Sequence, residues 1–172
     1  SAQETWKLGT AAQPGSVLYD IVMKFVNDFN AAAGGEMKLE YLHVGNEQEM
    51  HQQVVRGRIQ AGASSFAGGS ILVPEAAVFN TPYLWKNDEE RAWVTDNQGL
   101  PVAQKLYAEK GLSLILVSDV GWNDMVCKTA CLTPESLKGQ KMRVSPSQGS
   151  RIVFKQLGSN GVQMPQIGRA HV

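Results

Sequence analysis

The first half of the chain alternates between strand-like and helix-like hydrophobic patterns. Trp6 to Thr10 predicts a short strand, and residues 37–41 alternate apolar and polar side chains, as a strand with one covered face does. Between them, apolar residues recur at three- and four-residue intervals from Val17 to Phe29. This spacing predicts a long amphipathic helix that is capped by Ser16 and ends at Gly34-Gly35.

The next elements repeat this order. Asn46 and Glu49 form the pattern of a capping box, and Met50 with Val54 gives the helix a buried side. Residues 59, 61 and 63 are apolar in alternation and predict a third strand. Parallel neighbours need crossovers long enough to be helices, so this order predicts an α/β fold with a parallel sheet.

The middle of the chain is less regular. Residues 74–85 are apolar but contain two prolines, which predicts an irregular packed connection. A helix capped by the acidic residues 88–90 should carry Ala92 and Trp93, and we expect Gly99 and Pro101 to break and restart it. The continuous apolar run at 112–118 predicts a buried strand.

Residues 132–146 place one arginine, Arg143, on a short strand. Thr133 caps a turn that ends at Gly139, and the strand then spans residues 141–144 until Pro146 stops it. Met142 and Val144 share one face, so Arg143 must point the other way, near the carboxyl end where α/β folds bind ligands. The same residues also fit an exposed edge arginine that is paired with Glu135.

The C-terminal part predicts a helix capped by Ser147 and a strand at 162–164. Residues 167–172 resemble the translation of a sequencing-library adapter, and we exclude them from the fold as a non-native tail. The chain opens at Ser1 without methionine, which suits a mature exported protein and equally a fragment.

Composition narrows the class of partner. The 16 basic and 16 acidic residues cancel, so the chain lacks the electrostatic footprint of a nucleic-acid-binding protein. With 43% apolar residues the chain can build a core, yet no window reaches the uninterrupted apolar length that a membrane span needs. We therefore expect no nucleic acid partner and no direct membrane insertion.

Catalytic, metal and cofactor sites are not predicted. Residues 64–70 follow the third strand and are mostly small, so their backbone can come close to a ligand. This run lacks the lysine of a P-loop, and its glycines do not have the spacing of a dinucleotide fingerprint. Cys127 and Cys131 are either bridged or two unpaired thiols, and His43 and His51 lie too far away in sequence to complete a zinc site. No Gly-x-Ser-x-Gly elbow or paired cysteine and histidine supports an enzyme.

Several short motifs occur in a specific order along residues 6–165. They are Gly45-Asn-Glu-Gln-Glu-Met50, Pro74-Glu-Ala-Ala-Val-Phe79, Pro82-Tyr-Leu84, Gly111-Leu112, Leu137-Lys-Gly-Gln-Lys-Met-Arg-Val144, Leu157-Gly158 and Met164-Pro165. In this order they resemble the DctP-type solute-binding subunits of tripartite ATP-independent periplasmic (TRAP) transporters. The resemblance implies a periplasmic-binding-protein-like (type II) fold of two α/β lobes, which closes on a small organic acid in the periplasm and delivers it to membrane subunits.

The resemblance also implies a binding site. Arg143 falls on the arginine that grips the substrate carboxylate in this family. Asn123 stands where many members carry a second arginine, and Ser65 where some carry a glutamate, which argues against a doubly clamped or amine-bearing acid. Trp122 and Phe66 are candidates for apolar walls or for core, and together these residues favour a monocarboxylate such as a hydroxy- or oxo-acid.

The resemblance divides the chain into a first lobe at 1–120 and the beginning of a second lobe at 121–166, about half of a family member. The sequence leaves two alternatives to this function. A ligand-sensing domain of a receptor or regulator would bind in the same way, because fold alone does not decide function. An α/β enzyme that acts on a carboxylate is the third reading, although no catalytic constellation supports it.

Overall fold

The computed structural model describes residues 3–122, 124–145 and 147–163. Its strands are β1 (Glu4–Thr10), β2 (Met37–His43), β3 (Ala61–Ala63), β4 (Lys141–Val144) and β5 (Asn160–Gln163). Its α-helices are α1 (Val17–Ala32), α2 (Glu47–Val55), α3 (Phe66–Gly69), α4 (Asp88–Val94), α5 (Leu100–Ala108) and α6 (Gln148–Gln156). None of the helices in this described part combines the length and the apolar character that crossing a membrane requires.

The first sheet confirms the predicted parallel arrangement. Its order is β2-β1-β3, and β1 runs parallel to both neighbours, with Leu8 beside Tyr41 on one side and Ala61 on the other. The buried face packs on α1, whose Val22 and Val26 join Leu8 and Leu39 in one core cluster. α1 begins after the Ser16 cap and ends before the two glycines, as its hydrophobic spacing predicts.

Two glycines let helix α2 lie close to this sheet. A Cβ at Gly9 would stand 3.3 Å from Cγ of Met50 in this helix, and one at Gly62 would overlap the Met50 sulfur. Met50 is 1% exposed and packs with Val44 and Ile59 in a second core cluster. This close packing fixes the N-terminus of α2 over the carboxyl edge of the sheet, where Asn46 accepts a 2.8 Å hydrogen bond from the Glu49 backbone N–H.

The helical region from Asp88 to Ala108 corrects three expectations. The cap is Asn87, whose side chain accepts from the Glu90 backbone N–H at 2.8 Å, and Trp93 is 58% exposed, not part of a buried side. The helix is also not broken at Gly99 and Pro101, since α4 continues through a π-helical turn (Thr95–Gly99) into α5. Pro101 lies in the first turn of α5, where the wider preceding turn tolerates its missing N–H.

The segments before and after this helical region differ in structure. The proline-containing segment is a packed 3₁₀ helix from Pro74 to Asn80, and its Ala76 is buried with Val73 and Tyr107. The buried strand expected at 112–118 is wrong, because these residues pair with no strand in the described structure and Ile115 is 70% exposed. A strand needs a hydrogen-bonded neighbour, and here only Leu112 and Leu114 pack, against the Tyr107 cluster.

The second sheet consists of β4 and β5 in parallel, with Arg143 beside Val162. Leu137, Met142 and Val144 form its buried cluster, and the Cys127–Cys131 disulfide packs against them. A capping box at Thr133 begins the preceding 3₁₀ turn, and Ser147 caps α6. β5 covers the predicted strand as far as Gln163, whereas Pro146, Met164 and the predicted tail lie outside the described residues.

Candidate functional site

The residues of the candidate site follow strands β2 and β3 or lie on strand β4. β2 leads directly to the N-terminus of α2 at Glu47, and β3 leads to Ser65 at the cap of α3. Parallel strands place their carboxyl ends at the same edge of a sheet, so these two side chains come together. Arg143 is carried by β4 of the second sheet, on the exposed face that alternates with Met142 and Val144.

Ser65 and Glu47 are joined by two hydrogen bonds. The Ser65 backbone N–H donates to Glu47 Oε1 at 2.8 Å, and the Ser65 hydroxyl donates to Glu47 Oε2 at 3.1 Å. The same hydroxyl oxygen accepts from the Gly68 backbone N–H at 3.1 Å and so caps α3. Ser65 therefore positions the Glu47 carboxylate, a role that its sequence context does not reveal.

The small residues after β3 make room for protein side chains. A Cβ at Gly68 would stand 2.8 Å from Cβ of Glu47 and would overlap its carboxylate. A Cβ at Gly69 would overlap the Tyr107 hydroxyl. The space that these small residues leave is thus occupied by the side chains of Glu47 and Tyr107.

Burial and nearby charges shift the pKa values of Glu47 and Tyr107. Burial raises the pKa of Glu47, while the Ser65 N–H, the Ser65 hydroxyl and the charge of Arg143 act in the opposite direction. Burial also raises the pKa of Tyr107, and the Glu47 charge adds to that rise. The charge of Arg143 is the smallest of these influences on the pKa of Glu47.

Arg143 itself is exposed and keeps its hydrogen-bonding capacity. It takes part in no ion pair across residues 3–122, 124–145 and 147–163, so the alternative pairing with Glu135 is not found. A guanidinium carries five N–H donors in a planar fork that matches a carboxylate. None of these donors takes part in an ion pair with the described residues.

The other residues predicted for the site have different positions. Phe66 is partly buried, stacks on Phe79 with ring centroids 4.7 Å apart and packs against the Tyr107 cluster. Trp122 is 63% exposed and belongs to none of the core clusters found among the described residues. Asn123 lies outside the described residues. The structure therefore brings Ser65 next to Glu47, whereas Phe66 packs against Phe79 and the Tyr107 cluster. Trp122 belongs to neither group among the described residues.

A buried histidine lies one helical turn after Glu47. His51 is 7% exposed, its Nε2 shares a 2.9 Å hydrogen bond with the Ser64 hydroxyl, and its Nδ1 has no partner in the described part of the chain. Burial lowers the pKa of His51, and the Glu47 backbone carbonyl partly opposes this. Burial of the imidazole therefore favours its neutral form.

Sequence reasoning missed Glu47 and Tyr107 as members of the site. Glu47 lies inside the capping-box pattern, where an acidic residue in the first helical turn already has a structural reason. Its position shortly after β2 was the available signal, because Ser65 follows β3 in the same way and the carboxyl ends of parallel strands lie at one edge of the sheet. Within the described residues, no group of three or more histidine, cysteine or acidic side chains is arranged to hold a metal.

Comparison with known proteins identifies the family of this chain. Residues 8–166 match the family described as Bacterial extracellular solute-binding protein, family 7 (DctP). A relative from Escherichia coli strain K12, the 2,3-diketo-L-gulonate-binding periplasmic protein, is 29% identical over 149 residues, which are 83% of this chain and 44% of the relative. The chain spans about half the length of the relatives it matches.

Solved structures show the same fold. A TRAP periplasmic solute-binding protein from Xanthobacter autotrophicus, solved with β-D-galacturonate, matches with a TM-score of 0.85 and 21% identity over 93% of this chain and 55% of that one. A second, from Sulfurospirillum deleyianum with bound succinate, matches with a TM-score of 0.83 and 22% identity over 96% and 55% of the two chains. The two-lobed fold and the family predicted from the motifs are confirmed, and the chain belongs to the DctP family of bacterial extracellular solute-binding proteins.

Proposed function

We propose that this chain forms the acid-gripping part of an extracytoplasmic solute-binding protein, which captures a small organic acid and delivers it to TRAP membrane subunits. The observation that carries the proposal is the state of Arg143. It is exposed, and it makes no ion pair with any of the described residues. A cation kept in this state at a strand end suits capture of an anion.

The chemistry of the guanidinium supports a carboxylate as the captured group. Arg143 can donate two parallel charge-assisted hydrogen bonds to one carboxylate, which adds geometric specificity to charge attraction. A hydrogen bond to a charged group contributes about 1.5–3 kcal/mol, so loss of this contact should weaken binding at least about tenfold. The E. coli relative is named for binding 2,3-diketo-L-gulonate, and the two solved structures hold galacturonate and succinate, all of them acids.

Location and division into lobes follow from the same proposal. We place the protein in the periplasm, as the name of the E. coli relative places that protein, and the Cys127–Cys131 disulfide suits an oxidising compartment. We assign residues 1–120 to one lobe and residues 121–166 to the beginning of the other. The first sheet lies within residues 4–63 and the second within residues 141–163, which supports a boundary between them. In this account the protein binds its acid without transforming it.

The test is a binding experiment on a protein of full family length that contains this sequence. A library of organic acids is first screened by thermal shift, and each acid that shifts the unfolding temperature is then measured by calorimetry. Arg143→Ala is compared with Lys141→Ala, which removes another exposed cation from the same face of the same strand. We expect Arg143→Ala to lose at least about tenfold in affinity and Lys141→Ala to bind as the natural sequence does.

Two outcomes would reject the proposal. One is a screen in which no carboxylate shifts the unfolding temperature of the natural protein. The other is an Arg143→Ala variant that binds its acid with unchanged affinity, since the guanidinium would then not be the group that grips the anion.

A further inference from the structure

A cavity of about 280 Å³ lies where the 3₁₀ helix of residues 74–80 meets helix α6. The described residues that line it are Ser70, Ile71, Pro74, Ala77, Gln148 and Arg151. We call this cavity the Arg151 groove. The residues discussed for the acid site, such as Arg143 and Ser65, are not among its described lining. Its volume is near the lower limit of about 300 Å³ for small-molecule sites, so the groove can hold a small ligand.

The polar side of the Arg151 groove is formed by helix α6. Arg151 is exposed and makes no ion pair with any residue that the structure describes. Gln148 lies three residues earlier on the same helix, so the two side chains share a face and both offer N–H donors. The hydroxyl proton of Ser70 is already donated to the Ala67 carbonyl at 2.7 Å. Arg151 is the charged residue of the described lining, and its charge selects an anionic head group.

The apolar side of the groove is formed by Ile71, Pro74 and Ala77. Ile71 is 41% exposed and belongs to none of the core clusters found among the described residues, whereas Val73 is fully buried. The chain thus packs Val73 into the core and leaves Ile71 at the cavity. Ala77 adds only a methyl group, so its side chain fills little of the volume. A ligand that covers this side with carbon atoms removes apolar surface from water, which favours binding.

We propose that the Arg151 groove is a second binding site, which takes an amphipathic monoanion. The anionic head group accepts hydrogen bonds from Arg151 and Gln148, and a hydrocarbon chain covers the apolar side of the groove. A medium-chain fatty acid has this chemistry. The ligand differs from the acid proposed for Arg143, because its affinity depends on an apolar chain as well as on a charge.

The test uses a protein of full family length that contains this sequence and carries Arg143→Ala, which removes the proposed acid site. Calorimetry measures the binding of octanoate, butanoate and octanamide to this protein. We expect one octanoate to bind per chain, at least about tenfold more tightly than either of the other two compounds. Butanoate lacks four methylene groups that would cover the apolar side. Octanamide lacks the charge that strengthens the hydrogen bonds from Arg151.

Two further variants, made in the same Arg143→Ala protein, connect this ranking to the groove. Arg151→Gln removes the charge of an exposed residue, so the fold should be kept, and octanoate should then bind only as well as octanamide. Ala77→Phe fills the cavity, and octanoate should lose its advantage over butanoate. The control is Lys155→Gln, which removes an exposed cation one helical turn later on α6, outside the described lining of the groove. It should keep all three affinities.

The outcomes separate this inference from the proposed function. Octanoate that does not bind to the Arg143→Ala protein, or binds no more tightly than butanoate, would overturn the inference. Octanoate binding that neither Arg151→Gln nor Ala77→Phe weakens would overturn it too. If octanoate binds the natural protein but not Arg143→Ala, it occupies the acid site, so this inference fails while the role proposed for Arg143 stands. The opposite failure, an Arg143→Ala variant that captures small acids unchanged, would leave a binding of octanoate that depends on Arg151 intact.

Discussion

The two sides of the candidate site differ in how far the protein itself occupies their charged groups. On the side of the first sheet, Glu47 accepts two hydrogen bonds from Ser65 and lies against Gly68. On the side of the second sheet, Arg143 is exposed and makes no ion pair with any residue that the structure describes. A charged group that already accepts hydrogen bonds from the protein shapes a site, whereas a charged group without an ion pair can bind a ligand. We therefore assign a structural task to Glu47 and ligand binding to Arg143.

The difference arises from the way each side is built. The first side is formed by loops that follow parallel strands, and their backbone N–H groups and short helices hold side chains in place. The second side is the exposed face of a short strand, whose buried residues Met142 and Val144 anchor it while Arg143 points outward. Changes on the first side should therefore alter shape and stability, and changes on the second should alter affinity.

The largest expected effect is on affinity, from Arg143→Ala. Binding of the captured acid should weaken at least about tenfold, whereas the free energy of unfolding should change by less than about 0.5 kcal/mol, as for other exposed residues. Calorimetry and urea unfolding of the same preparation measure the two quantities. A variant that loses stability but keeps its affinity would show that Arg143 stabilises the fold and does not bind the acid.

Loss of the disulfide should affect the second side selectively. Replacing Cys127 and Cys131 with serine removes a cross-link of sequence separation 4, and the chain-entropy account gives about 2 kcal/mol for so short a loop. The disulfide packs on Met142 and Val144, so faster amide hydrogen exchange should appear in β4 and β5. Equal acceleration in β1 to β3 would contradict the view that the two sides are built separately.

A smaller effect is expected from Ser65→Ala. This change removes the cap of α3 and one hydrogen bond to Glu47, and such caps contribute about 1 kcal/mol. Urea unfolding should therefore show a loss of about that size. The control Ser113→Ala changes an exposed serine and should stay within about 0.5 kcal/mol of the natural protein.

The smallest effect is the pH dependence of stability that Glu47 causes. Burial raises its pKa in the folded state above the ordinary value, so the folded protein binds this proton more readily than the unfolded chain does. The contribution of Glu47 to stability is therefore fully present below its ordinary pKa and is lost as the pH rises through the higher folded value. Ionised Glu47 costs stability at neutral pH, and its contact with the α2 N-terminus offsets part of that cost.

Urea unfolding of the natural protein and of Glu47→Gln across this pH range measures the effect. The natural protein should gain stability relative to the variant as the pH falls towards the ordinary pKa of a glutamate. If the natural protein instead loses stability relative to the variant over that range, the surroundings of Glu47 stabilise its ionised form. The claim that burial raises its pKa would then be wrong.

The fold was predictable wherever each pattern finds its partner inside the described chain. The α1 stripe and the alternation of β2 meet in one cluster around Leu39, so periodicity alone places them. The run at 112–118 has the composition of a buried strand, but it pairs with no strand among the described residues, and composition alone does not reveal whether a strand has a partner. The helix break predicted at Pro101 is wrong for another reason. A π-helical turn precedes this proline, and the helix continues through a residue that normally ends one.

The site was predictable in part. The orientation of Arg143 follows from strand alternation and the buried positions of its neighbours, which the structure confirms. Glu47 was not predictable from its own motif, since the first turn of a helix favours acidic residues for reasons of the helix itself. Its task depends on Ser65, 18 residues away in sequence, and that proximity arises only when two parallel strands end at one edge.

The central claim is that the Arg143 guanidinium binds the carboxylate of the ligand, and a thermodynamic cycle tests it most directly. The captured acid and its uncharged amide are each titrated into the natural protein and into Arg143→Ala. We predict that the natural protein prefers the acid at least about tenfold and that the variant binds acid and amide equally. A variant that keeps the full preference for the acid would contradict the account.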